Sequence, residues 1–244
     1  MHPINELLSR FGFRLLLTVR LMHPPDYRHN LRQLKKSDRG FSIYRSPASD
    51  MGPHPENHYD YEAGFAADHI SRIRPKEILD VGSDRRFING LLAGYLVTTV
   101  DVRERRPNSK RESVLTCDAK KLNCSDASFD VVLSLCALHH FGLGRYGDEF
   151  DPDADRKAFG EMIRVLRAGG YLIFSTTVTR AQASIAFNAH RIYTHDMIKR
   201  LCLNLVCVEE RFYSQNAGNF CSPEQVTDEP GLWDVYCGCW RKPS

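Results

Sequence analysis

No stretch of this 244-residue sequence runs for about 20 apolar residues, the length a membrane-spanning helix needs. Charge of one sign is not in excess either. The 33 Lys and Arg stand against 30 Asp and Glu, and the resulting +3 argues against bulk nucleic-acid binding. The eight cysteines form no C-x-x-C pair, which weighs against a zinc site or a disulfide framework. Several lie in apolar runs, where Cys behaves as a small hydrophobe, and Cys237 and Cys239 alternate along one face of an expected strand. That usage points to a reducing cytoplasm. The start shows neither the charged-then-apolar order nor the small-residue cleavage site of a secretory signal. Internal repeats and low-complexity tracts are also missing.

What is present divides in two. Residues 1–57 read as a helical extension and connector. Ile4, Leu7, Leu8, Phe11, Leu15, Val19 and Met22 recur at helical spacing, with Arg10, Arg14 and Arg20 interrupting them. Such a helix packs on the domain or on a second subunit, as in a homo-oligomer, or lies on a membrane surface through residues 4–22. Pro24, Pro25, Pro47, Pro53 and Pro55 break residues 23–57 into a connector. Residues 58–244 form the domain, entered by a helix over His58–Ile73 that Pro75 stops.

Within the domain, strands alternate with helices. Strands are expected at 77–81, 95–101, 114–117, 129–135, 171–176, 205–212 and 232–240, with helices at 86–93, 155–167 and 196–203. The alternation implies an α/β fold with a mainly parallel sheet and helices on both faces. Ligands of such sheets bind beyond the carboxyl ends of the strands, where strand order reverses. That places Gly82, Asp101, Asp118 and the residues after Leu135 at the site. Gly82 lets a ligand approach the backbone. Asp101, about 20 positions beyond the glycine turn, can accept two ribose hydroxyls. Asp118 can accept from an exocyclic amine or cap a helix.

The segments ILDVGS at 78–83, Asp101, CDAKKL at 117–122, FDVVLSLCALHH at 129–140 and EMIRVLRAGGYLIFST at 161–176 resemble the class I S-adenosylmethionine-dependent methyltransferases. The resemblance implies a Rossmann-like seven-stranded sheet whose last strand is antiparallel. It implies S-adenosyl-L-methionine as cofactor, with Gly82 against the methionine part, Asp101 on the ribose, and Asp118 with Ala119 beside the adenine. Leu135 and Cys136 then form a wall, while Asp80, Ser83 and Val102 flank these positions and are assigned to the cofactor with them. HFGLGRYGDEFDPDAD at 140–155 resembles a bacterial branch associated with surface-polysaccharide genes, which implies a sugar acceptor. The glycine loop departs from the family: Asp80-Val81-Gly82-Ser83-Asp84-Arg85-Arg86 keeps one glycine. Asp84 is expected to resist the backbone geometry of the missing glycine. Arg85 or Arg86 either binds the methionine carboxylate in compensation or faces solvent.

The second half supplies acceptor chemistry. Methyl transfer to a hydroxyl needs alignment and a base. His139, His140, Asp148, His190 and His195 are the candidates, with His140, Asp148 and His190 assigned as catalytic. His140 also reads as a packed helix-start histidine. Gly142, Gly144 and Gly147 shape a loop in which Arg145 and Tyr146 offer donors to a polar small-molecule or glycan acceptor. Asp148, Asp151, Asp153 and Asp155 follow; Asp153 capping a helix is preferred to a metal site, so no metal ligands are assigned. Thr177–Asn188 reads as a lid. Arg191 binds an anionic acceptor or pairs with an Asp of the 148–155 loop. The leading reading is a methyltransferase acting on a sugar or other small polar acceptor. The alternative is a methyltransferase-like binding protein without catalysis. A nicotinamide-dependent oxidoreductase is disfavoured, because the turn after the first strand lacks the G-x-G-x-x-G that seats a pyrophosphate.

Overall fold

The computed structural model describes residues 27–36 and 56–244. Contacts divide the chain into two units, Met1–Pro55 and Glu56–Ser244. In the first, α1 (Tyr27–Lys36) is a helix where the sequence reads as connector, and Lys35 and Lys36 in its last turn suit the helix dipole. The apolar pattern at residues 4–22 lies outside the described residues.

The second unit opens with α2 (His58–Ile73). Asn57 starts it with a reciprocal capping box: its side chain accepts from backbone N–H groups of the first turn, and Asp60 accepts from the Asn57 amide at 3.0 Å. Glu62, Phe65, Ala66, His69 and Ile70 recur on one helical face and are buried. The core then alternates: β1 (Glu77–Val81), α3 (Arg85–Leu91), β2 (Leu96–Asp101), β3 (Glu112–Thr116), β4 (Phe129–Ser134), α4 (Ala154–Val165) and β5 (Leu166–Thr179). A hairpin of β6 (Ser184–Ala186) and β7 (His190–Thr194) follows, then α5 (His195–Leu201), β8 (Val206–Ser214), β9 (Asn219–Cys221) and β10 (Asp234–Arg241).

The main path of the sheet runs β3-β2-β1-β4-β5-β10-β8-β9. β1 to β5 pair in parallel, and β10 inserts antiparallel between β5 and β8. This is the Rossmann-like class I methyltransferase fold with an antiparallel last strand. Its seven strands gain β6, β7 and β9. The expected lid at 177–188 is partly strand: β5 runs through Thr179, and β6 pairs with β7, which itself pairs with the end of β5.

Strand alternation sorts the core into two layers. Leu79, Val81, Val132, Leu172, Phe174 and Tyr236 join Phe159, Met162 and Val165 of α4 on one face. Ile78, Val131, Leu133, Ile173, Cys237 and Cys239 join Phe65 and Ile70 of α2 and Ile88 of α3 on the other. Both cysteines of the last strand are buried, free and in the core.

Candidate active site

Strand order reverses between β1 and β4, and one cleft opens there. Val81 and Gly82 leave β1, Val100 to Arg103 leave β2, Cys117 to Ala119 follow β3, and Cys136, Ala137 and His140 to Gly142 follow β4. Tyr146 and Asp148 complete the lining. The space is about 670 Å³, counted with its open mouth.

Gly82 has a φ of +80°, and a Cβ there would lie 3.0 Å from the Ala137 Cβ, so the turn and the close approach both require glycine. Asp84 resists nothing. Its φ of −59° is ordinary, and it caps α3 by accepting from the Arg86 amide at 2.8 Å. The loop therefore turns once, at Gly82, and needs no second glycine at position 84.

Three expected cofactor residues prove to underlie the cleft. Asp80 is buried beneath it and accepts from the Ser83 amide at 3.3 Å; burial pushes its carboxyl up to about 7 against the bonds from Ser83 and the charges of Arg85 and Arg105. The Ser83 hydroxyl accepts from the Leu135 amide at 2.9 Å, and the Ser134 hydroxyl donates to the Val81 carbonyl at 2.9 Å. These bonds tie β1 to β4, and Asp80, Ser83 and Leu135 do not line the space. Arg85 is also elsewhere: it donates to Glu112 at 2.6 Å, and Glu112 also takes Arg105. Arg86 faces solvent and pairs with Asp84.

Asp101, Val102, Asp118, Ala119 and Cys136 do line the cleft. Arg103 closes on Asp101 in a two-bond fork, Nε to Oδ1 at 2.9 Å and Nη2 to Oδ2 at 2.7 Å. Burial raises the Asp101 carboxyl, but the Arg103 bonds outweigh it and hold the group below its ordinary range. Asp118 accepts from the Lys120 amide at 2.9 Å.

His140 stands in a 3-10 turn after β4. Its Nδ1 lies 2.6 Å from the Ala189 carbonyl, so that nitrogen carries the proton of the neutral ring and Nε2 keeps its lone pair. Burial, helped by Arg145 and His190, lowers it to about 4 against the pull of Ala189. His190 is lowered too, by burial and then by Arg145; its ring lies 6.4 Å from His140 and 5.5 Å from Trp233. Asp148, expected as a base, spends Oδ2 on the Gly142 amide at 2.7 Å and Oδ1 on the Tyr146 amide at 3.1 Å, which makes it the organiser of its loop. Gly142 is the glycine this loop needs: at φ +71°, a Cβ would meet the Asp151 carbonyl at 2.3 Å.

Of the two roles expected of Arg191, the structure shows the second: it is buried and pairs with an Asp of the 148–155 loop. It donates to the Phe141 carbonyl at 2.5 Å and to the Pro152 carbonyl at 3.0 Å, with Asp155 at 3.6 Å. Asp153 occupies the cap position of α4 without a side-chain bond; Asp151 accepts from the Asp153 amide at 3.0 Å. His195 pairs with Glu210 away from the cleft.

Sequence reasoning missed Arg103 and Glu62. The first was signalled by an opposite charge two residues beyond Asp101. Glu62 looks like any helix carboxylate in sequence, yet it is 2% exposed and accepts from the Ser175 hydroxyl, which accepts from the Cys136 amide at 2.8 Å. Burial pushes it up to about 7, against the bonds from Cys136 and Ser175.

Residues 79–174 match the family model described as a methyltransferase domain. With the sheet order, this match shows the fold of the class I methyltransferases. A malonyl-[acyl-carrier protein] O-methyltransferase from Methylococcus capsulatus is 30% identical over 135 residues, covering 50% of this chain and 45% of that protein. The chain thus spans less than half the length of this curated relative. Among solved structures, the 1,6-didemethyltoxoflavin-N1-methyltransferase of Burkholderia thailandensis, with 1,6-didemethyltoxoflavin and S-adenosylhomocysteine bound, has a TM-score of 0.58 at 19% identity over 78% of this chain and 80% of that one. The N-methyltransferase NodS of Bradyrhizobium japonicum, in complex with S-adenosylhomocysteine, has 0.52 at 17% over 80% and 90%. The matched methyltransferase segment contains every residue that lines the cleft. Glu62, beside Cys136, and His190, beside His140, fall outside it.

Proposed function

We propose that the protein transfers a methyl group from S-adenosyl-L-methionine to a hydroxyl of a sugar or another small polar acceptor. The observation that carries this reading is a neutral imidazole, His140, lining the same cleft as the strand-end carboxylate Asp101. The residues fit the cofactor: Gly82 leaves room along the backbone for the methionine part, Asp101 suits the ribose diol, and Asp118 with Ala119 borders the adenine. When bound, that cofactor supplies an activated methyl group. His140 takes the acceptor proton through Nε2 while Ala189 fixes its ring, and His190 and Tyr146 position the acceptor. The sugar preference rests on the resemblance of residues 140–155. Release of S-adenosylhomocysteine over a panel of glycans and small hydroxylated acceptors tests the reading. His140→Ala is expected to lower kcat by roughly a hundredfold or more while S-adenosylhomocysteine affinity holds. Equal turnover in the variant sinks the role of His140.

A second reading, a binding protein without catalysis, is favoured by the Arg103 fork on Asp101, which occupies both oxygens a ribose would use. Cofactor binding without turnover on any acceptor selects it. Peripheral membrane contact through residues 4–22 is a separate proposal; among the described residues no helix is long and apolar enough to cross a membrane. Unchanged liposome flotation after removal of residues 1–22 rejects it.

A further inference from the structure

Two arginines near the cleft show what a guanidinium does here. Arg103 and Arg86 each set their Nε–Nη2 edge on a carboxylate, Asp101 and Asp84, in the two-bond geometry. Arg145 presents the same edge with no carboxylate on it. Its Nη1 donates to the Ala189 carbonyl at 3.2 Å and stands 3.3 Å from His140 Nδ1; among the described residues, Nε and Nη2 have no hydrogen-bond partner and no ion pair forms. The other cations of the cleft are paired, Arg103 with Asp101 and Lys120 with Asp118 and Asp151.

The surroundings leave that charge uncompensated. Asp148, on the same loop, has both oxygens on backbone amides. His58, His139, His140 and His190 are all held neutral, chiefly by burial. Aromatic and imidazole rings surround that charge: Tyr146 lies 5.3 Å under the Arg145 guanidinium, with Arg103 also over its ring at 4.9 Å, and 5.7 Å from His140, and Trp233 packs T-shaped on His190 and His58. A planar donor fork above aromatic and imidazole faces recognises a ring or short chain that carries an anion.

We infer that the acceptor bears a carboxylate or phosphate that docks on the Nε–Nη2 edge of Arg145 while the rest of it lies against Tyr146, His140 and His190. This rests on the methyltransferase reading and names the substrate class of that same site. It also reassigns anion recognition, expected at Arg191, to Arg145.

The test is calorimetry on protein saturated with S-adenosylhomocysteine, titrated with glucuronate, glucose 1-phosphate, glucose and inorganic phosphate. At least one anionic sugar is expected to bind about tenfold or more tighter than glucose, as a charge-assisted fork predicts. The two anionic sugars separate carboxylate from phosphate recognition, and inorganic phosphate alone must bind more weakly than the preferred sugar. Arg145→Gln should bring that sugar to the glucose level with S-adenosylhomocysteine affinity unchanged, and Arg145→Lys should fall between. Neither anionic sugar binding better than glucose, or the preference surviving Arg145→Gln, overturns the inference. Failure of the wild-type protein to bind S-adenosylhomocysteine counts against the methyltransferase reading instead.

Discussion

Asp101 and Arg103 set the first question at the scale of the residue. A carboxylate that is to hold a ribose is already engaged by a guanidinium two positions away. The Arg103 side chain is 62% exposed, so its fork is worth about 1 kcal/mol or less and yields to a ligand. Arg103→Ala should tighten S-adenosylhomocysteine binding by up to about fivefold in calorimetry; a loss of affinity would show that Arg103 helps to hold the ligand. Glu62 sets the second. Its carboxyl is raised from 4.5 to about 7 by burial, so the fold favours the protonated form. That contribution is full below about pH 4.5 and is lost as pH rises through about 7. Glu62→Gln keeps the neutral shape at all pH values. In urea unfolding it should match the wild type at pH 4.5 and exceed it by about 3 kcal/mol at pH 8. A gap that stays constant with pH would contradict this account of Glu62.

Among the elements, the loop over residues 141–152 matters most, because it carries His140's neighbours, Tyr146 and Arg145 to the mouth. Arg191 of β7 holds this loop from below by two carbonyls, and with Tyr193 it satisfies the buried Asp155. Arg191→Leu leaves that carboxylate with Tyr193 alone and should cost roughly 3 kcal/mol in urea unfolding, as breaking a buried pair does. S-adenosylhomocysteine affinity of the folded fraction should hold, whereas a stable variant that has lost only acceptor binding would restore Arg191 to the acceptor. This element also marks where sequence reading stops. GLGRYG at 142–147 spells G-x-G-x-x-G, yet it follows no strand and opens no helix, so it makes a positive-φ loop and no phosphate cradle. Helix α2 and strands β1, β2, β4 and β10 were legible from their periodicity. β6 and β9 are three residues each, too short for any period to show. β7, HRIYT, is defined by its pairing with β5 and β6.

For the whole molecule, the α/β alternation and the position of the cleft followed from alternating apolar runs and the switch-point rule, and Gly82, Asp101, Asp118 and Cys136 line that cleft. What the sequence could not show was which charges find each other across the fold. Arg85 meets Glu112 over 27 residues, and Asp155 is the member of the 148–155 loop that takes Arg191, over 36; these pairings remove two expected ligand contacts, while among the described residues the Nε–Nη2 edge of Arg145 has no partner. Glu62 reaches Ser175 over a separation of 113 residues.

The central claim is that this fold holds an S-adenosyl nucleoside by Asp101 at the end of β2. Calorimetric titration of the full chain and of Asp101→Ala with S-adenosylhomocysteine, beside NAD⁺, tests it directly. The account predicts one saturable site on the wild type, a loss of about tenfold or more in the variant, and no NAD⁺ binding to either. Equal S-adenosylhomocysteine affinity in the two proteins, or binding of NAD⁺ alone, would contradict it.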